Sequence, residues 1–236
     1  MHTIIHDIRA ELQQLADPAT AESSQRFFKE PIKLYGLKAA SIRTLSKTSY
    51  KAIKGLPKSE IFGLCDQLWQ SGYHEEAIIA CLWAYELRKS YTIADFAVFE
   101  KWIKNDVSNW AQCDTLCNHP VGDLVMLYPQ LVSNLKAFTQ SENRWVKRAA
   151  AVSLIIPARR GKFLSDIFEI ADLLLTDSDD LVQKGYGWML KVAADAHQQE
   201  VFNYVISKKA IMPRTALRYA IEKMPKELKA QAMATR

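Results

Sequence analysis

Apolar residues return at helical spacing along almost the whole chain, and this pattern restricts the fold more than any other feature. Ile61, Leu64, Cys65 and Leu68 form one such face, Ala77, Ala80, Cys81 and Ala84 a second, and Phe168, Ala171, Leu174 and Leu175 a third. Strict apolar/polar alternation over strand length is absent. Eight glycines and eight prolines in 236 residues also argue against an all-β chain, which needs a turn about every ten residues. Breaks at Asp17-Pro18, Pro31, Gly36, Gly55-Leu-Pro57, Gly72, Pro120, Pro129, Gly161, Asp177–Asp180, Pro213 and Pro225 cut the chain into short-linked helices, about a dozen or more.

Some of these helices are related. Trp145-Val-Lys-Arg148-Ala-Ala-Ala-Val152 aligns with Leu181-Val-Gln-Lys184-Gly-Tyr-Gly-Trp188 at an offset of 36 residues, and Tyr73-His-Glu-Glu76-Ala-Ile-Ile-Ala80 aligns with the first at twice that offset. A period of this length suits a pair of helices with its turns. One pair cannot bury its apolar side alone, so pairs stack into a curved array with a concave face. The expectation is an all-α chain in which residues 1–236 form one helical solenoid of irregular HEAT-like repeats. Periodicity alone leaves a globular helical bundle open.

The formal charge of +5 is unevenly spread. Lys29 to Lys58 holds eight basic residues against one acid, Glu30, and Arg144 to Lys162 holds six basic residues and no acid. Lys208, Lys209, Arg214 and Arg218 make a third basic run, while Ser59 to Glu100 is net acidic. Such clusters either line one surface and attract a polyanion or form separate solvated helix faces. The N-terminal Met1-His-Thr-Ile-Ile-His-Asp lacks the basic start and apolar run of a signal peptide, and no stretch approaches the ~20 apolar residues of a membrane span. A cytoplasmic protein without membrane contact is expected.

Familiar catalytic patterns are missing: no P-loop, G-x-G-x-x-G, G-x-S-x-G or H-E-x-x-H occurs. The histidines (His2, His6, His74, His119, His197) are scattered. Cys113 and Cys117 lie four apart with His119 close behind, but no second pair at ligand spacing accompanies them. Buried thiols, not a metal site, are therefore expected at Cys65, Cys81, Cys113 and Cys117.

The segment Ser108-Asn-Trp110-Ala-Gln-Cys-Asp114-Thr-Leu-Cys-Asn-His-Pro120 is more informative. As a helix it puts Trp110 and Asp114 one turn apart on one face. A carboxylate beside an indole suits a cation gripped by charge and by a π-face; alternatively Trp110 is core and Asp114 is solvated. By repeat phase Arg148 and Lys184 are equivalent, and Trp188 lies one turn beyond Lys184. Gly185 and Gly187 imply a close neighbour, either a ligand or another helix.

These residues resemble the AlkD-like family of DNA alkylation repair glycosylases from the first helices to about Met224. The likeness is carried by Gly36-Leu-Lys38 with Arg43, by Asn109-Trp110-x-x-Cys-Asp114, by Trp145-Val-Lys-Arg148-Ala-Ala and by Lys184-Gly-Tyr-Gly187-Trp188. The resemblance implies a basic concave face holding duplex DNA and a monofunctional hydrolase that releases N3- or N7-alkylated purines in base excision repair. Asp114, Trp110 and Trp188 would be catalytic, and Arg148, Lys147, Lys184, Lys38, Arg43 and Phe27 would contact DNA. It implies no cofactor or metal, and a monomer is expected. The chain departs from the family pattern at Ala39-Ala40-Ser41, where a proline is usual, and at Phe27, where a tyrosine is usual; the latter loses a hydroxyl. A non-catalytic binder of distorted or branched DNA and a protein-binding scaffold are the rival functions.

Overall fold

The computed structural model describes residues 3–234; Met1 and His2 lie outside them. The fold is an all-α helical repeat, and no strand occurs among the described residues, only an isolated parallel bridge between Lys33 and Tyr73. The chain divides into two compact units, Met1–Leu116 and Cys117–Arg236.

The first unit holds α1 (Ile4–Gln14), α2 (Pro18–Gln25), α3 (Ala39–Ile53), α4 (Lys58–Trp69), α5 (His74–Glu86), α6 (Asp95–Asn105) and α7 (Trp110–Leu116). Helix α5 packs against α4, α3 and α7 and is the hub of the unit. The two apolar faces expected on α4 and α5 are buried: Ile61, Leu64, Cys65, Leu68, Ala77, Ala80, Cys81 and Ala84 all lie in the core. Phe62, Trp69, Phe99 and Trp102 pack edge-on or tilted around one another, with centroids 5.7–6.1 Å apart in the contacts of Trp102. The Trp102 Nε1 donates to Asp66 Oδ1 at 2.6 Å, so even this buried indole has its polar atom satisfied.

The irregular segment between α2 and α3 is fastened to the first turn of α5. The buried Glu75 carboxylate accepts the backbone N–H groups of Tyr35, Gly36 and Leu37 at 3.1, 2.8 and 3.2 Å. The Tyr35 hydroxyl donates to Glu76, which also pairs with Arg9. At Gly36 the backbone turns left-handed, with φ +92°, and a Cβ there would lie 2.2 Å from the Asp17 carbonyl oxygen. Gly36→Ala is expected to cost well over about 1 kcal/mol, since both conformation and space are incompatible with a side chain. Thermal unfolding measures this; an unchanged midpoint would mean that the segment shifts freely.

The second unit holds α8 (Gly122–Leu127), α9 (Val132–Phe138), α10 (Arg144–Val152), α11 (Ile155–Arg159), α12 (Leu164–Leu173), α13 (Asp180–Ala193), α14 (Gln198–Lys208), α15 (Arg214–Ala220) and α16 (Lys226–Met233). Helix α13 is its hub, packed on α15, α10, α11 and α12. Of the third expected face, Ala171, Leu174 and Leu175 are buried, whereas Phe168 is half-buried and stacks on Tyr204 at 4.7 Å. Pro120 does not end a helix: it lies inside a π-helical turn, Cys117–Val121. Such a turn already departs from the α-helical ladder, so the missing proline N–H is tolerated there.

The repeat holds at the level of single hydrogen bonds. Helix α13 starts 36 residues after α10, and the cap residues Asn143 and Asp179 accept the N–H groups of Trp145 and Leu181, each at 2.8 Å. Ser141 and Asp177 in turn accept the N–H groups of those two caps at 3.1 and 2.8 Å. Before α5, Ser71 accepts the Tyr73 N–H at 3.1 Å in the same manner, but α5 starts 70 residues before α10, so this cap lies two residues out of the register of twice 36.

Candidate functional site

Helix α7 begins where its own side chains satisfy its first turn. Asn109 Oδ1 accepts the Gln112 N–H at 3.0 Å, while Gln112 Oε1 reaches back to the Ser108 N–H at 2.9 Å and the Ser108 hydroxyl at 3.1 Å. This reciprocal cap fixes the helix register. Trp110 and Asp114 fall one turn apart on it, and both are half-buried. The alternative of a core Trp110 with a solvated Asp114 is not met in full: Trp110 is outside the core, and Asp114 is only partly open to solvent.

The Trp110 indole is held from two directions. Its Nε1 donates to the Phe27 carbonyl at 3.1 Å, and Phe28 stacks on it with centroids 5.5 Å apart and planes at 24°. His74 meets Phe28 edge-on at 5.6 Å. Burial lowers the His74 imidazole below its ordinary pKa, against the opposing pull of the Glu75 carboxylate. Phe27 itself is 73% exposed, a large apolar ring left in solvent beside this cluster. Phe28 was not anticipated from sequence; it lies in an irregular segment 82 positions before Trp110, where helical periodicity carries no information.

The chain has six tryptophans, and their burial separates them cleanly. Trp83 and Trp102 are fully buried, and Trp69 and Trp145 expose only 3% and 8%. Trp110 and Trp188 alone are half-buried. Trp188 sits on α13 in the second unit, where Gly185 and Gly187 are explained by helix packing. A Cβ at Gly185 would meet Arg148 Cγ at 3.3 Å, and one at Gly187 would meet Tyr219 Cβ at 2.7 Å and the Ala216 carbonyl at 2.8 Å. The close neighbours implied by those glycines are α10 and α15.

Basic residues that cluster in sequence are partly neutralised in space. Arg148 is a buried residue of the α10–α13 interface, 5% exposed, and its Nη1 donates to the Leu181 carbonyl. Arg144 pairs with Asp179 at 2.6 Å, Lys147 with Asp177, and Lys184 with Asp180 at 3.0 Å. The acid-free run from Arg144 to Lys162 thus draws on the Asp177–Asp180 loop for counter-charge. Lys38 and Arg43, by contrast, are exposed at the start and on the surface of α3. Asp17 caps α2 and has its pKa lowered by the Thr20 hydroxyl, the Ala19 N–H and, more weakly, the charge of Lys38.

All four cysteines are buried and unbridged. Among the described residues no group of His, Cys, Asp and Glu could hold a metal ion, and no helix is long and apolar enough to cross a membrane.

Fold and site together define a helical-repeat protein that displays two half-exposed indoles, one of them rigidly held beside a carboxylate. A family model described as DNA alkylation repair enzyme matches residues 8–224, and the chain belongs to that family. A solved structure described as a predicted DNA alkylation repair enzyme from Enterococcus faecalis superposes with a TM-score of 0.80, over 89% of this chain and 97% of that one, at 19% identity. At that identity the likeness speaks for the fold. No curated protein matches the sequence. Family membership gives the chain a role in DNA alkylation repair, with DNA as its partner.

Proposed function

We propose that this chain is a monofunctional DNA glycosylase that releases N3- and N7-alkylated purines from duplex DNA. The observation that carries the reading is the α7 pair: Trp110 outside the core, tied by Phe27 and Phe28, one turn from the half-buried Asp114. Core packing does not call for that arrangement, because it leaves an aromatic face partly in water beside a carboxylate.

The chemistry suits those groups. An N3- or N7-alkylated purine is cationic, so no proton need be delivered to the leaving base. The C1′–N bond breaks with its electron pair going to the purine, which departs neutral and leaves positive charge on the sugar. Asp114 stabilises that developing cation and orients a water, whose oxygen bonds to C1′ as its proton passes by way of the carboxylate to solvent. Trp110 favours the cationic state through its π-face, and the family resemblance assigns Trp188 a catalytic role as well. Exposed cations such as Lys38 and Arg43 bind phosphate. Without a lysine nucleophile in this scheme, the product is an abasic site in an uncut strand.

The test is release of free base from duplex DNA methylated at purine N3 or N7. Release well above the spontaneous rate, with the strand left intact until alkali is added, is the expected result. Binding without release would move the chain to the class of non-catalytic DNA binders.

A further inference from the structure

The first unit carries a groove that the α7 site does not use. Between α3 and α5 lies a cavity of about 470 Å³, bounded by the exposed Arg43, Lys47, Lys51 and Lys54 and by the half-buried Tyr50 and Leu82. The four cations recur at four, four and three residues, so α3 presents them on one face. Among the described residues none of the four takes part in a side-chain hydrogen bond or ion pair, unlike Arg144, Lys147 and Lys184. One carboxylate, Glu86, also borders the groove, with Arg88 Nη1 3.9 Å away.

The spread of charge indicates the ligand. From Arg43 to Lys54 the cations extend about 16 Å along α3, at 1.5 Å per residue. That is too long for one phosphate group and matches a polymer of regularly spaced negative charges. Helix α5 relates the groove to α7. Its residues His74, Ile78, Leu82 and Glu86, at four-residue steps, are all outside the core and share one face. His74, at one end, touches Phe28, which stacks on Trp110; Leu82 and Glu86, at the other, border the groove. The stripe is about 18 Å long, roughly five phosphates at a rise of 3.4 Å per strand.

We propose that the α3–α5 groove is a backbone track: Arg43, Lys47, Lys51 and Lys54 bind successive phosphates of duplex DNA, and Tyr50 and Leu82 pack against the sugars between them. That this strand continues along α5 to a lesion at Trp110 rests on the function proposed above; the track itself does not.

The test measures binding of the full chain to an undamaged duplex of two helical turns across a salt series. Each phosphate contact contributes about 0.9 to the slope of log affinity against log salt, so K47Q/K51Q/K54Q is expected to lower the slope by about 2.7. K47R/K51R/K54R keeps the wild-type slope. The comparison variant K89Q/K162Q/K226Q removes the same charge from exposed lysines on other elements and lowers the slope by less than about 1. The substituted side chains are exposed, and circular dichroism verifies that the helices persist. An unchanged slope in the α3 variant overturns the track, as does an equal fall in the comparison variant, which would mark a response to net charge alone. Since the duplex is undamaged, failure of base release would overturn the glycosylase reading and leave this result standing.

Discussion

Asp114→Asn is expected to slow base release from methylated duplex on the order of a hundredfold or more, while affinity for the same duplex stays near that of wild type. The substitution keeps the size and shape of the side chain and removes its negative charge. An interaction that strengthens as positive charge develops on the sugar adds little to ground-state binding and much to the rate. Loss of one such preorganised electrostatic element typically costs a hundred- to a thousandfold in kcat. Single-turnover release with the variant in excess over DNA separates the two quantities. Equal rates for both proteins, above the spontaneous background, would remove Asp114 from the chemistry.

The second large effect contrasts two tryptophans. Trp102→Ala is expected to cost about 3–5 kcal/mol, because it empties a fully buried site in the first unit's aromatic core. It also takes away the indole that donates to Asp66. For a chain of this size the loss corresponds to a fall in Tm of roughly 6–20 °C. Trp188→Ala, at a half-buried position, is expected to shift Tm by no more than about a third of that while impairing base release. Differential scanning calorimetry of both variants checks the contrast. An equal collapse of both midpoints would make Trp188 a packing residue.

The helical fold was legible because burial follows the 3.6-residue period, and Ile61, Leu64, Cys65 and Leu68 obey it on α4. The related starts of α10 and α13 were legible because cap, helix and spacing recur together. Pro120 misled because a proline ends an α-helix but is accommodated in the π-turn that follows α7. Trp110 and Asp114 could be paired from sequence, since a single helical turn joins them. Phe28 could not, because only the folding of a distant loop brings it onto Trp110. Charge was the least legible property: Lys147 and Asp177 are 30 residues apart in sequence and form an ion pair, so a run of bases in the chain is not a run of free charge on the surface.

The two restraints on Trp110 also bear on entropy. A side chain that is mobile before binding surrenders about 0.5–1.5 kcal/mol when a ligand immobilises it. With its Nε1 on the Phe27 carbonyl and its ring stacked on Phe28, the Trp110 indole has already given up that freedom during folding. Whatever lies against its open side meets a surface whose ordering cost was met in advance, and the saving goes directly to affinity.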